Sequence, residues 1–295
     1  MIFIKHILRW TLKFFKFPLQ FIYLIIDDLK SDFSKKKENK KYNFIFVVGL
    51  PKSGTTLIEN ILRALGYIDL RNSPLRVFDD RGLSNPHDIS DAMFKLVPRN
   101  KLTFLKLHTH YSEENLRIIK KFEPRVIISL RNLHEVLVSR YSHVIANKNH
   151  RHHKLIKNLP VDEGFKKSLF IQNSYDTPIS PIEYFKKWVE NWKLEIKKKN
   201  LNYLVIDYES YQNNQKNYIK KILNYLNIDE RKLEEIHQKV KKNFIRYDKN
   251  NLEKNLTGFI KPQTINNDSG NIKQKLNSEK IKKFVKEALE INDNR

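Results

Sequence analysis

Residues 44–56 read Phe-Ile-Phe-Val-Val-Gly-Leu-Pro-Lys-Ser-Gly-Thr-Thr, and this stretch decides the fold. Its first five residues are apolar and rich in aromatic and β-branched side chains, which predicts a strand buried on both faces of a parallel sheet. Gly49–Thr56 predicts a loop, and Leu57–Leu65 predicts a helix that ends at Gly66. Glycines let such a loop turn tightly, so that N–H groups at the helix start point at a bound anion. The stretch therefore predicts a phosphate-binding loop.

Strands and helices alternate along the rest of the chain. Apolar runs predict further strands at 102–107, 126–130 and 203–207. Helices are predicted at 135–145, 181–198 and 217–226. This alternation predicts an α/β fold with three layers, in which helices flank a central parallel sheet. In open sheets of this type, ligands bind beyond the carboxyl ends of the strands, where the sequence places the Gly49 loop, His108 and Arg131.

The loop differs from the ATP- and GTP-binding type at the position after its second glycine. The nucleoside triphosphate loop reads G-x-x-x-x-G-K-[S/T], whereas Thr55 follows Gly54 here and the lysine of the loop is Lys52. A lysine at the front of the loop no longer follows the helix start toward a γ-phosphate. Ser53, Thr55 and Thr56 still offer hydroxyl donors to a phosphate. The loop is poorly built for magnesium-dependent phosphoryl transfer, although a P-loop kinase or NTPase remains an alternative.

Residues 51–56, Pro-Lys-Ser-Gly-Thr-Thr, resemble the 5′-phosphosulfate loop of sulfotransferases that use 3′-phosphoadenosine-5′-phosphosulfate (PAPS). The resemblance implies the sulfotransferase fold, which is similar to that of P-loop NTPases. It also implies that Lys52 is catalytic, because the family's loop lysine contacts the leaving side of the sulfuryl group. The resemblance places the nucleotide-binding residues of this loop at Lys52, Ser53, Gly54, Thr55, Thr56 and Leu57.

A second motif covers residues 126–141 and reads as strand, turn and helix. Arg131 stands at the predicted strand end, where a guanidinium can grip a phosphate with two parallel hydrogen bonds. Ser139 follows about two helical turns later. The run resembles the family's 3′-phosphate motif, with Leu133 for the usual Pro and Glu135 for the usual Asp. The resemblance implies that Arg131 and Ser139 bind the 3′-phosphate of PAPS.

The candidate general base lies at the end of the strand predicted at 102–107. An acceptor hydroxyl must lose its proton as it attacks sulfur, and a histidine with a pKa near neutrality suits that role. Phe104-Leu-Lys-Leu-His108 resembles the family's Lys-Thr-His stretch, which implies His108 as the base and Lys106 as a neighbouring positive charge. His110 remains an alternative base.

Two weaker resemblances concern the rest of the nucleotide. Tyr208, at the end of the strand predicted at 203–207, resembles the tyrosine that the family places near adenine. Gly270-Asn-Ile-Lys273 loosely resembles the family's glycine-rich arm, with Ile272 for the usual Trp. The resemblance adds Tyr208, Gly270 and Lys273 to the nucleotide-binding residues, and Lys261 is a second candidate cation at the arm.

Composition sets the compartment and the kind of partner. The chain of 295 residues carries a formal net charge of +23, which favours anionic partners. Nucleotides or acidic lipid surfaces are expected as these partners, and nucleic acid is not. The chain has no cysteine, which excludes disulfides and zinc–thiolate sites and predicts a reducing, cytoplasmic compartment. No metal is predicted, because no carboxylate cluster suggests one.

The N-terminal segment predicts a separate element before the catalytic domain. Residues 1–26 are rich in Ile, Leu and Phe, and Lys5, Arg9, Lys13 and Lys16 fall on one helical face. A basic amphipathic helix of this kind favours peripheral contact with a membrane surface, or docking on the protein itself. Its longest uncharged run is too short to span a bilayer. We therefore predict a basic helix and charged linker at 1–41 and a sulfotransferase domain at 42–295.

The predicted function is transfer of a sulfuryl group from PAPS to a hydroxyl or amine, with release of adenosine 3′,5′-bisphosphate. The acceptor is not identified by the sequence, and a glycan or lipid is expected. Its pocket is predicted in the segments 70–100 and 143–180, and the basic cluster Asn147–Lys154 is expected near it. A non-catalytic nucleotide- or membrane-binding protein on the same scaffold remains a further alternative.

Overall fold

The computed structural model of the chain describes residues 43–72, 88–95, 97, 101–171, 179–198, 201–242, 272 and 274–291. Five strands form one sheet in the order β2-β3-β1-β4-β5. The strands are β1 (Phe44–Gly49), β2 (Ile68–Asp69), β3 (Thr103–Leu107), β4 (Arg125–Leu130) and β5 (Tyr203–Asp207). All four strands predicted from apolar runs are present, which confirms the α/β class with a central parallel sheet.

The central strand β1 is buried along its whole length and pairs in parallel with β3. Phe44 lies opposite Thr103 and Val48 lies opposite Leu107, while the short edge strand β2 pairs in parallel with the start of β3. Because β1 and β3 run side by side in the same direction, their carboxyl ends fall at one edge of the sheet. Gly49 and His108 follow at that edge, as the sequence predicts.

Helices occupy most of the connections between strands. They are α1 (Thr55–Ala64), α2 (Asp91–Lys95), α3 (Glu113–Phe122), α4 (Leu133–Ala146), α5 (His153–Ile156), α6 (Val161–Phe170), α7 (Pro181–Lys198), α8 (Tyr208–Asn213), α9 (Gln215–Leu226), α10 (233–242) and α11 (Glu279–Ile291). The four predicted helices correspond to α1, α4, α7 and α9. No helix in the described part of the chain is long and apolar enough to cross a membrane.

The chain divides into two compact units. Among the described residues, the first unit contains those up to Gly49, those of Thr56–Ile128, and 201–204. Its core includes Phe94, whose ring meets the rings of Phe44 and Phe46 edge-on at centroid distances of 5.5 and 5.6 Å. This unit carries strand β1 and the strand β3 that leads to His108.

The first unit also contains a set of paired charges, here called the ion-pair cluster. Its members are two carboxylates and three cations: Glu59, Asp69, Arg63, Arg71 and Lys106. Arg63 bridges the two carboxylates at 2.8 and 2.6 Å, and Lys106 Nζ lies 3.9 Å from Glu59 Oε2. Each cation of the cluster therefore has a carboxylate partner.

The second unit contains the loop residues 50–55, residues 129–200 apart from those outside the described ranges, and the described residues from Val205 onward. Its buried apolar residues come mainly from helices α4 to α7 and α9 to α11. The rings of Tyr141 and Phe165 meet edge-on at 5.8 Å, and those of Trp188 and Trp192 lie 6.0 Å apart. Trp188 and Trp192 are 2% and 1% exposed and lie one helical turn apart on α7, so this side of the helix belongs to the core.

Several predictions fall outside the described residues. They concern the N-terminal helix and linker at 1–41, the boundary at 42, and the glycine-rich arm with Lys261, Gly270 and Lys273. These stay predictions.

Candidate functional site

The loop between β1 and α1 turns through two left-handed residues. Lys52 has φ 73° and Gly54 has φ 99°. A lysine in this region is uncommon, because its Cβ crowds the backbone. At Gly54 the reason for glycine is also steric: an added Cβ would collide with the Tyr208 ring and lie 3.1 Å from its Cγ. The Tyr208 ring thus packs directly on the loop at Gly54, where the residue has no side chain.

Hydrogen bonds hold the loop in this shape. The Ser53 N–H and the Ser53 hydroxyl both donate to the Leu50 carbonyl, at 3.1 and 2.8 Å. The Ser129 hydroxyl, from the end of β4, donates to the Ser53 carbonyl at 2.8 Å. Ser53 and Ser129 are almost fully buried. The hydroxyl of Ser53, which the sequence offers to a phosphate, therefore holds the turn in this structure.

Helix α1 begins at Thr55 and presents its N-terminus directly after the loop. The first N–H groups of a helix have no partner within the helix and carry a partial positive charge. Thr56 is exposed, Thr55 and Leu57 are buried, and no acidic residue lies in the first turn. Loop and helix start together form a site suited to an anion.

Arg131 is fixed against this loop. Its Nη1 donates to the Lys52 carbonyl at 3.0 Å, and its Nη2 lies 3.3 Å from Glu135 Oε2. Its guanidinium stacks over the Tyr208 ring, 4.6 Å from the centroid. The Arg131 Nε is buried and has no hydrogen-bond partner among the described residues. The guanidinium therefore retains a donor for an anion.

The start of α4 positions the residues that follow Arg131. Asn132 caps the helix by accepting from the Glu135 N–H at 3.4 Å, and the Asn132 N–H donates to Glu209 Oε1 at 3.0 Å. Ser139 lies two turns further along α4 and is 4% exposed. Arg131 and Ser139 are thus carried by one rigid strand–helix junction.

The charge on Lys52 is electrostatically disfavoured. Burial and then the positive charge of Arg131 together lower its pKa from the ordinary lysine value to about 8. Two neighbouring cations gain from an anion placed beside them, because it offsets both charges. The loop therefore carries a positive charge at Lys52. Neither of the two influences on the pKa of Lys52 comes from a carboxylate.

The charge of Lys52 lowers the pKa of two histidines, His143 and His150, that the sequence does not single out as site residues. Burial, and then the charge of Lys52, lower the pKa of His143 to about 3. Burial lowers the pKa of His150 to about 4, together with charges that include Arg140 and Lys52. His143 follows Ser139 by four residues on α4, and this spacing places both on one helical face. That spacing is the signal that sequence reasoning could have used.

His108 is oriented by the start of the loop. Its Nδ1 lies 2.6 Å from the Gly49 carbonyl oxygen, which can only accept, so the proton of a neutral ring is on Nδ1. The basic lone pair is then on Nε2. The alternative base His110 instead has its Nε2 3.3 Å from the Asp88 carboxylate. Lys106 is 4% exposed and pairs with Glu59, so its charge is offset within the first unit.

No group of three or more His, Cys, Asp or Glu residues in the described ranges is placed to hold a metal ion. In the Asn147–Lys154 segment, one ring nitrogen each of His150 and His153 contacts the backbone. His153 Nδ1 lies 3.0 Å from the Val144 carbonyl oxygen, and His150 Nδ1 accepts from the His152 N–H at 3.1 Å.

Comparisons with known proteins give one family. A family model described as "Sulfotransferase domain" matches residues 43–292. No curated protein matches the chain. Among solved structures, mouse sulfotransferase SULT7A1 complexed with PAP is 20% identical, with a TM-score of 0.47 and coverage of 68% of this chain and 64% of that one. Retinol dehydratase in complex with androsterone and inactive cofactor PAP is 17% identical, with a TM-score of 0.42 and coverage of 67% and 64%. The chain thus spans less than two-thirds of the length of either.

Proposed function

This chain belongs to the sulfotransferase domain family, and from that premise we propose that it transfers a sulfuryl group from PAPS to a hydroxyl or amine. The observation that carries the proposal is the contact between Arg131 and the loop. The guanidinium donates to the Lys52 carbonyl at 3.0 Å and stacks on Tyr208, which itself packs on Gly54. Two phosphate-binding motifs far apart in sequence are therefore joined side by side, as a nucleotide with phosphates at both its 5′ and 3′ positions requires.

The 5′-phosphosulfate is assigned to the loop and the start of α1. The N–H groups of Gly54, Thr55 and Thr56 supply donors and the helix dipole adds attraction for an anion. The lowered pKa of Lys52 supports the assignment, because an anion at the loop favours the protonated ammonium. Lys52 then offsets the charge that develops on the leaving phosphate oxygen.

The 3′-phosphate is assigned to Arg131 and Ser139. The buried Arg131 Nε supports this role, since a buried donor without a partner is costly and an anion would satisfy it. Glu135 lies 3.3 Å from Arg131 Nη2 and is the group that a phosphate would compete with. Tyr208 already carries the Arg131 guanidinium on its face, which supports the adenine-side role assigned to it.

His108 is assigned as the general base. With the proton of its neutral ring on Nδ1, Nε2 takes the proton of the acceptor hydroxyl as the hydroxyl oxygen bonds to sulfur. The bond between sulfur and the bridging phosphate oxygen breaks, and adenosine 3′,5′-bisphosphate (PAP) leaves with that electron pair. In-line transfer of this kind depends mainly on positioning and on positive charge around the transferred group.

The first test is binding of PAP by the full chain. We expect PAP to raise the melting temperature of the wild type and to fail to raise that of Arg131→Ala. Arg125→Ala, at the other end of the same strand, should retain the shift and is the matched control. A wild type that PAP does not stabilise would rule out the nucleotide site.

The second test is transfer of labelled sulfate from PAPS to a panel of glycans, lipids and phenols. His108→Ala should lower kcat by about 10²- to 10⁴-fold, the range of a lost general base, while it keeps the PAP-dependent thermal shift. His110→Ala is the comparison, and a larger loss there would move the base to His110. PAP binding without transfer to any acceptor would favour the non-catalytic alternative.

A further inference from the structure

The segment that follows the Arg131 motif is rich in cations. From Val136 to Val161 the chain has no Asp or Glu, while it contains Arg140, Lys148, Arg151, Lys154 and Lys157 together with four histidines. All of these residues are described by the structure, and they belong to the same unit as Lys52. The cations are therefore not neutralised by carboxylates of their own segment, unlike the helical pairs elsewhere on the surface.

The histidines of this segment form a connected array. The ring of His150 meets the ring of His143 edge-on at 6.1 Å, and that of His152 at 5.2 Å. Arg140 links the array to α6. Its Nη2 lies 3.3 Å from His152 Nδ1, and its Nη1 donates to the Ser168 carbonyl at 3.1 Å. Arg140 and His152 are buried, so the half-buried rings of His143 and His150 rest on a fixed support.

The charge of Lys52, in the loop between β1 and α1, acts on two rings of this array. Lys52 contributes to the low pKa of both His143 and His150, so the two rings lie within the field of the loop lysine. Both rings are neutral at neutral pH. A neutral imidazole has one donor and one acceptor. In His150 the acceptor Nδ1 already receives the His152 N–H, so the Nε2–H is the group that can donate to a hydroxyl oxygen. The surrounding lysines and arginines suit a carboxylate instead.

We propose that the acceptor is an acidic saccharide, whose hydroxyls are held by His143 and His150 and whose carboxylate is held by the exposed cations Lys148, Arg151 and Lys154. This inference rests on the proposed sulfuryl transfer and names the substrate class of that reaction. The neutral rings account for a hydroxyl-rich ligand, and the exposed cations of a segment without carboxylates account for its charge. A neutral glycan would use only the first feature, and an acidic peptide only the second.

The experiment compares two tetrasaccharides that differ in charge. One alternates glucuronic acid with N-acetylglucosamine, and the other contains N-acetylglucosamine alone. With labelled PAPS and the full chain, we expect kcat/KM to be about tenfold higher for the acidic tetrasaccharide, since a few exposed ion pairs together supply an effect of that size. Equal use of the two, or transfer to neither, overturns the proposal.

Charge reversal at the exposed cations tests the carboxylate contact. The triple variant Lys148→Glu, Arg151→Glu, Lys154→Glu should remove the preference for the acidic tetrasaccharide and leave the PAP-dependent thermal shift in place. The matched control reverses three exposed lysines on α11, Lys280, Lys283 and Lys286, and so has the same net charge. Loss of the preference in both triple variants would show a general field in place of a site, and would overturn the proposal.

Substitution of His150 tests the hydroxyl contact. His150→Leu removes the Nε2–H donor and should raise KM for both tetrasaccharides about tenfold, whereas His150→Gln keeps an N–H donor and should raise it less. An unchanged KM in His150→Leu overturns the assignment of the ring. Absence of any PAP-dependent shift in the wild type would instead count against the sulfotransferase proposal itself, so the two failures are distinguishable.

Discussion

The two cations at the loop, Lys52 and Arg131, can be compared with the cations of the ion-pair cluster. Both regions contain lysine and arginine, but the pKa of a cation is lowered at the loop and raised in the cluster. In the ion-pair cluster, burial disfavours the charge of Arg71, but hydrogen bonds and charges from Asp69 and Glu59 raise its pKa above the ordinary value. At the loop, burial and the charge of Arg131 lower the pKa of Lys52 to about 8. The difference teaches that cations whose charges are favoured by carboxylates belong to the fold, whereas a cation such as Lys52, whose charge is disfavoured by burial and by a neighbouring cation, is suited to an anionic ligand.

The sharpest test of this comparison is removal of the Lys52 charge. Lys52→Met should lower kcat/KM for sulfate transfer by about 10²- to 10³-fold, the usual loss for one group that stabilises developing negative charge. It should not lower the free energy of unfolding, because the substitution also removes a disfavoured buried charge. Enzyme kinetics and urea unfolding measure the two quantities. Lys216→Met on α9, whose side chain is exposed, is the control and should change neither.

The converse change acts on the ion-pair cluster. Glu59→Gln leaves Arg63, Arg71 and Lys106 without their shared carboxylate, and we expect the free energy of unfolding to fall by about 3 kcal/mol. Arg63→Ala, at a side chain that is 44% exposed, should cost less than about 1 kcal/mol. Urea unfolding followed by tryptophan fluorescence measures both. A loss from Lys52→Met as large as that from Glu59→Gln would remove the distinction between the two regions.

The loop glycine offers a smaller and more local test. Gly54→Ala should weaken PAP binding by about 1–3 kcal/mol, because an alanine at φ 99° is strained and its Cβ meets the Tyr208 ring. Gly66→Ala is the matched control: its φ is 89° and nothing lies within 4 Å of the added Cβ. Both variants carry the backbone strain, but only Gly54→Ala changes the loop. Calorimetric titration with PAP measures the difference, and equal affinities in the two variants would contradict the role of Tyr208.

The smallest expected effect is a pH dependence. As pH rises through about 8, Lys52 of the free protein loses its proton, and PAP affinity should fall several-fold. Stability of the free protein should move the other way. The unfolded chain still binds the lysine proton up to the ordinary pKa, so the free energy of unfolding gains from about pH 8 toward that value. Lys52→Met should lack both trends, and a wild-type affinity that stays flat across this range would show that Lys52 does not titrate at the nucleotide.

The sheet was predictable because each buried strand is largely apolar. The run at 44–48 became β1, and the runs at 126–130 and 203–207 became β4 and β5, with shifts of at most one residue. The edge strand Ile68–Asp69 was not predicted, since two residues carry no periodicity and only one neighbouring strand supports them.

The part of the site that lies in a sequence motif was predictable. The contacts between side chains from distant segments of the chain were not. Residues 51–56 and Arg131 could be located from the sequence. That the Ser53 hydroxyl turns inward to Leu50, or that Ser129 reaches the Ser53 carbonyl, depends on contacts between distant segments. The array of His143 and His150 depends likewise on the course of the chain after α4, which no local pattern specifies. Whether the assigned residues bind PAPS remains a prediction.

The packing of Tyr208 on Gly54 also determines when, during synthesis of the chain, the loop can gain its aromatic contact. The ribosome makes the loop early, but the ring that packs on it belongs to the first residue of α8, directly after β5 and far downstream in the chain. At about 5–20 residues per second, the delay between the two is on the order of ten seconds. Arg131 likewise emerges long before the aromatic face on which it stacks. A nascent chain that ends before Tyr208 would therefore display a phosphate loop without its aromatic support, and competence to bind the nucleotide would arrive only with the last strand of the sheet.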